Sequence, residues 1–174
     1  MNAWMSRSRR YLLWLAAALL WMTLIFLKSA EPYKEQDMRP FLSEKLPVYE
    51  LSKWLPRWEF TYDGQRITWR EPYDMLEFLI RKGGHVAEFA ILAFLWTLVF
   101  LAGKFRLPAS LWLSSIISLL YAASDEWHQT FVPGRTGHAI DIAVDASGIL
   151  LSSLLLVVFH FFVSLRDPSK NRFP

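Results

Sequence analysis

"VAEFAILAFLWTLVFL", Val86–Leu101, decides what kind of protein this is. Sixteen residues pass with one charge, Glu88, and no Lys or Arg. Three more runs share that character: Leu107–Ala123 just after it, Ala143–Leu165 further on, and Tyr11–Leu27 near the start. A bilayer-crossing helix takes roughly 17–25 residues. Four such runs in a 174-residue chain predict an all-α membrane protein, a bundle of four transmembrane helices over 11–27, 86–101, 107–123 and 143–165. The composition agrees: 53% hydrophobic, 16% aromatic and nine Trp, with the 20% charged residues outside the runs except for Glu88 and Asp145. The absence of Cys excludes disulfides, thiolate chemistry and Cys-ligated zinc. A net charge of +3 beside such runs argues against nucleic acid as a partner and for the lipid bilayer.

Basic residues give the orientation. Arg7, Arg9 and Arg10 precede the first run, Lys104 and Arg106 separate the second from the third, and Arg166, Lys170 and Arg172 follow the fourth. With four crossings these segments share one side, so both termini are expected in the cytoplasm. The outer segment 28–82 carries ten basic and ten acidic residues and gives no opposing bias. Lys28 stands where a signal peptide would need a small residue, so the first run reads as a retained anchor.

The outer segment has its own pattern. In "WEFTYDGQRITW" the Asp63-Gly64 pair suits a two-residue type I′ turn, which needs φ > 0 twice. That register pairs Tyr62 with Gln65 and Phe60 with Ile67, and puts Trp58, Phe60, Ile67 and Trp69 on one face, predicted to cover the mouth of the bundle. Pro40, Pro47 and Pro56 punctuate short helical pieces before the hairpin. Pro72 opens a short helix after it, which Gly83-Gly84 is expected to break.

Polar residues collect at the predicted outer helix ends. In "RKGGHVAEF" Lys82, His85 and Glu88 fall one turn apart. In "SDEWHQTFVPGR", Ser124–Arg135, a helix running to about Phe131 puts Tyr121, Asp125, His128 and Gln129 on one stripe and turns Glu126 and Trp127 elsewhere. Arg135 and His138 then lead to Asp141 and Asp145, with Gly148 on the same face, where a small residue admits a neighbouring helix. Lipid-facing carboxylates are costly, so the three groups are expected to converge and pair, with Arg135 or Lys82 answering Asp125. His160 reads as structural. Trp4, Trp14, Trp21 and Trp112 read as packing or belt residues.

At these residues the sequence resembles the VanZ-like family of membrane proteins, named for a teicoplanin resistance protein. "RKGGHVAEFAILAF" and "SDEWHQTFVPGRTGHAIDIAVDASG" carry the resemblance, which covers most of the chain as one membrane domain. It carries over Arg81, Lys82, His85, Glu88, Ser124, Asp125, Glu126, His128, Gln129, Pro133, Gly134, Arg135, Asp141 and Gly148. Asp145 stands where Asn is frequent and Ser152 where a second Gly is frequent. The resemblance implies a bacterial plasma-membrane protein tied to low-level glycopeptide or lipoglycopeptide resistance or envelope homeostasis, without supplying a mechanism.

Two classes of function stay open on the residues. One is an envelope protein acting at the outer surface without a defined reaction. The other is a membrane-embedded hydrolase or transferase for an anionic, lipid-linked or cell-wall ligand. For the second, His85, Glu88, Asp125, Glu126, His128 and Asp141 are the candidate catalytic groups. A His would act as acid or base, oriented by Asp125 or Glu88. Arg81, Lys82, Gln129, Arg135 and Asp145 are the candidate ligand-holding groups. The mixed N/O donors of His85, Glu88, Asp125, His128 and Asp141 also suit a divalent cation, although no H-E-x-x-H spacing is present.

Overall fold

A computed structural model describes residues 7–166. Four long helices are apolar and long enough to cross a membrane: α1 (Arg7–Ser29), α5 (Pro72–Ala102), α6 (Leu107–Gln129) and α7 (Ala139–Arg166). Between α1 and α5 run three short helices, α2 (Tyr33–Gln36), α3 (Arg39–Lys45) and α4 (Val48–Trp54), then the strands β1 (Glu59–Tyr62) and β2 (Gln65–Thr68). Trp4, Lys170 and Arg172 lie outside the described residues.

α6 and α7 are inverted relative to the helices of a soluble bundle, while Ile25 of α1 and Phe89, Leu92 and Ala93 of α5 form a small apolar core. On α7 the buried residues are Asp141, Asp145, Gly148, Ile149 and Ser152, while Leu150, Leu154, Leu155 and Phe159 are exposed. On α6 Ser110, Ser114, Ser118, Ala122, Asp125, Glu126 and Gln129 are buried, and Trp112, Leu120 and Trp127 face outward. Apolar groups gain nothing by leaving lipid for protein, so small and polar residues hold the helices together. Thr97 and Ser114 share a buried hydroxyl contact of 2.8 Å between α5 and α6. α7 comes very close to α5 at Gly148: a Cβ there would sit 2.2 Å from the Val86 carbonyl oxygen. Only a glycine lets α7 cross α5 at that distance.

α1 docks through its polar groups. The Trp21 indole N–H donates to the Glu88 carbonyl at 2.9 Å, the Tyr121 hydroxyl donates to the Met22 carbonyl at 2.6 Å, and Lys28 pairs with Glu88. At the opposite end Arg7, Tyr11, Gly103 and Lys104 meet around one depression, so the basic loops of the bundle gather there.

The hairpin keeps the expected register, with Phe60 opposite Ile67 and Tyr62 opposite Gln65. Asp63 and Gly64 both have positive φ, 48° and 77°, as the turn requires. Ile67 is buried with Met75 and Phe78 of α5, and Phe60, Tyr62 and Trp69 pack around them. Trp58 does not join that face and is 57% exposed.

Two expectations need correction. Gly83-Gly84 does not break the chain; α5 runs unbroken from Pro72 to Ala102. Each helical glycine costs about 1 kcal/mol, and the packing of α5 against α1, α6, α7 and the hairpin outweighs it. The helix containing Ser124 stops at Gln129, not Phe131.

Candidate functional site

The hairpin-side ends of α5, α6 and α7, with the loop 130–138, enclose a cavity of about 430 Å³. Its charged lining is Arg39, Arg81, Lys82 and Arg135 against Asp63 and Asp141, with His85 and His138 beside them. Helix spacing explains the wall from α5: Phe78, Lys82 and His85 follow at four and three residues, so they share one face. A second polar space, about 30 Å³, is lined by Lys28, Gln36, Glu88 and Asp125, and shares Arg81, His85, Gln129 and Arg135 with the first.

The shortest ion pairs of the site run across helices. Lys82 and the Tyr62 hydroxyl both bond to Asp141 Oδ1. Lys82 also lies 4.5 Å from the Tyr62 ring centroid. His85 Nδ1 sits 3.0 Å from Asp145 Oδ1, and the Asp145 side chain is fully enclosed. Gln129 donates to Asp125 Oδ2 at 2.9 Å. The backbone N–H of His138 donates to Glu126 Oε2 at 2.9 Å. That last contact depends on Gly137, where a Cβ would lie 2.1 Å from the Glu126 carbonyl oxygen. The hairpin tip closes one side of the cavity, because Asp63 pairs with His138. Burial and the Asp141 carboxylate hold the Tyr62 hydroxyl above its ordinary pKa.

Arg81 and Arg135 are less well matched. Arg135 donates to the neutral oxygen of Gln36, its Nε is buried without a partner, and burial pulls its pKa down. Arg81 Nε stands 3.9 Å from Glu77, and the Arg81 Cζ lies 5.5 Å from the Tyr33 ring centroid. A guanidinium half out of water without a carboxylate in contact, as at Arg135, favours an anion brought from outside.

Of the residues singled out in the sequence, Arg81, Lys82, His85, Gln129, Arg135 and Asp141 line the larger cavity; Glu88 and Asp125 line the smaller. Asp145 supports His85 from behind, so the histidine is oriented by Asp145 and not by Asp125 or Glu88. The expected pairing of Asp125 with Arg135 or Lys82 is not made: Asp125 is held by Gln129, and Lys82 by Asp141. Glu126 does not turn away; it is 4% exposed and sits with His85 and Asp145, one ligand atom of each within 4.8 Å of the others. Among the described residues, these three could hold a metal ion. His128 leaves the group, its ring 4.5 Å from that of Phe26 on α1. Tyr33, Gln36, Arg39 and Tyr62 reach the site from the segment before α5, and no spacing in the sequence links them to it.

The family described as VanZ/LLP1 matches residues 14–160, which holds every one of these groups. The chain belongs to the VanZ/LLP1 family. No curated protein matches it, and no solved structure does. Family and helices together make it a multi-pass membrane protein. In this member the family region contains most of the bundle, the hairpin and both polar cavities.

Proposed function

We propose that this VanZ-type protein acts at the outer face of a bacterial plasma membrane, with both termini cytoplasmic, and that its cavity binds an anionic group of a lipid-linked or cell-wall ligand. Through that binding it contributes to low-level glycopeptide or lipoglycopeptide resistance or to envelope homeostasis. One observation carries the reading: four Lys or Arg side chains line the cavity against two Asp. Arg135 makes no ion pair with a carboxylate among the described residues, and Arg81 has only a 3.9 Å contact with Glu77. Arg is suited to phosphate and carboxylate because its planar fork matches their oxygens. The basic residues at the far end of the bundle support the orientation.

The test is a susceptibility assay. A host expressing the chain should tolerate several-fold more teicoplanin than one without it. Arg135→Gln and Arg81→Gln should lose that tolerance at unchanged membrane levels. Equal susceptibility with and without the chain removes the resistance reading, and full tolerance in both variants removes the anion pocket. A reporter fused after Pro174 that reads as extracytoplasmic would place the cavity on the wrong side.

A second reading, a hydrolase or transferase for an anionic lipid-linked substrate, is favoured by the His85–Asp145 pair. A carboxylate that fixes a ring nitrogen orients the imidazole for proton transfer, and His85 borders the cavity that the cations line. Release of phosphate from a polyprenyl-pyrophosphate probe in detergent, abolished in His85→Gln, is the outcome this reading requires.

A further inference from the structure

We propose that His85, Glu126 and Asp145 bind a single divalent transition-metal cation at the base of the cavity, where α5, α6 and α7 meet. One ligand atom from each residue lies within 4.8 Å of the other two. Each of the three long helices supplies one ligand, so the site is a product of the bundle and not of a local motif.

Charge is the first reason. Glu126 is 4% exposed and Asp145 is 0% exposed. Their ion-pair partners, among the described residues, include no Lys or Arg; Asp145 has only His85. Lys82 is committed to Asp141 and Lys28 to Glu88; Arg135, the cation nearest in sequence, feels the charge of Glu126 but donates to Gln36 and makes no ion pair with either acid. Two carboxylates so close and so dry cannot both stay ionised without a counter-charge. A protonated His85 offers one positive charge for two negative ones. A divalent ion supplies both and leaves His85 neutral, which is the state in which imidazole ligates.

An unfilled acceptor is the second reason. Asp145 Oδ2 is buried and has no hydrogen-bond partner. An unmatched carboxylate oxygen in a closed interior calls for a proton or a cation. Orientation is the third. The His138 backbone N–H holds Glu126 Oε2 at 2.9 Å. The absent Cβ at Gly137 permits that approach. Fixing one carboxylate oxygen by an outer hydrogen bond is how ligating carboxylates are aimed.

The distances are compatible. Bonds of about 2.0–2.2 Å put neighbouring ligand atoms about 3.0–3.5 Å apart. His85 Nδ1 and Asp145 Oδ1 already stand 3.0 Å apart. Glu126 would close by at most about 1.8 Å, within the reach of a side-chain rotation. His85 lines the cavity, so open coordination positions face it. One imidazole and two carboxylates suit Zn²⁺ or Mn²⁺ better than Ca²⁺, which takes six to eight oxygens. This set differs from the donors the sequence put forward. Of those, Glu88, Asp125, His128 and Asp141 are held by Lys28, Gln129, Phe26 and Lys82 respectively.

The inference does not rest on the anion reading. A chain that holds the cation but no anion refutes only that reading, and one that holds the anion but no cation refutes only this one. The full-length protein, purified in detergent and stripped with EDTA, is titrated with Zn²⁺ and separately with Mn²⁺. Bound metal is counted after gel filtration and the unfolding midpoint is followed. The wild type should retain about one equivalent of one of the two ions and unfold at a higher temperature with it. Mg²⁺ at the same concentration should not shift the midpoint. Glu126→Gln and Asp145→Asn should each weaken binding by at least about 100-fold. Without metal, both should unfold at or above the temperature of the stripped wild type, because each removes a repulsive charge. His160→Ala, at the other end of α7, should bind as the wild type does. A wild type that retains neither ion in stoichiometric amount overturns the proposal, whatever becomes of the variants. So does an equivalent that persists in both Glu126→Gln and Asp145→Asn.

Discussion

Gly148→Ala tests the bundle geometry on which the site depends. The new Cβ would stand 2.2 Å from the Val86 carbonyl oxygen, 2.9 Å from its carbon and 3.1 Å from the Ala90 nitrogen. All three are backbone atoms of a helix, so no side chain can rotate away. A carbon rests at about 3.3 Å or more from a carbonyl oxygen, so α5 and α7 must separate by about 1 Å. Asp145 lies one turn before Gly148, and His85 lies beside Val86. The same separation stretches the 3.0 Å His85–Asp145 contact to about 4 Å, beyond hydrogen-bonding range. Overpacking costs about 1–3 kcal/mol, and a lost hydrogen bond to a charged group about 1.5–3 kcal/mol. The sum is about 2.5 kcal/mol at the least. At about 2–4 °C per kcal/mol for a chain of this size, the unfolding midpoint of the detergent-purified protein should fall by about 5 °C or more. Gly83→Ala is the control. It sits in the same helix as Val86, but its Cβ would meet nothing within 4 Å. Alanine there should stabilise α5 by up to about 1 kcal/mol. If Gly148→Ala melts no lower than the wild type, or if Gly83→Ala falls as far, the close crossing is not what holds the helix ends together.

Gly64→Val forces a β-branched residue to φ 77°, at a cost of about 1–2 kcal/mol; the hairpin should open, and trypsin should cut at Arg57, Arg66 or Arg70 faster than in the wild type. Unchanged cleavage would mean that the turn does not need the glycine. Asp141→Asn leaves the Lys82 side chain, only 13% exposed, without its counter-charge, and should cost about 3 kcal/mol in thermal unfolding. The double variant Lys82→Met, Asp141→Asn should recover most of that loss, and no recovery would show that the pair is not coupled.

The legible part of the fold was the part encoded locally. Asp63-Gly64 between two alternating runs specifies a turn through φ alone, and the strands pair in the register that turn dictates. The polar residues of the three long helices converge because burying them together is cheaper than facing lipid. Gly83-Gly84 misled because a local cost of about 1 kcal/mol per glycine is small beside the packing of a helix that touches every other layer. Glu126 misled for a related reason. A stripe argument allows a helix one buried face, but the end of α6 lies between two polar spaces. Asp125 turns to Gln129 and Glu126 to the loop that Gly137 brings close. The serines 110, 114 and 118 on α6 did carry a signal, a repeat of four small residues apart, which marks the buried face of a membrane helix.

By itself the sequence determined the broad character of each segment: four apolar runs, a basic excess on one set of connections and balanced charge on the other. Those properties are additive along the chain, so composition and spacing suffice to read them. Partners across the bundle are not additive. Whether Lys82 meets Asp125 or Asp141, and whether His85 leans on Glu88 or Asp145, depends on how far α7 slides along α5. One missing Cβ at Gly148 sets that crossing. The tertiary structure alone decided that His85, Glu126 and Asp145 share one buried corner, because the three come from three helices and their nearest separation in sequence is 19 residues, between Glu126 and Asp145.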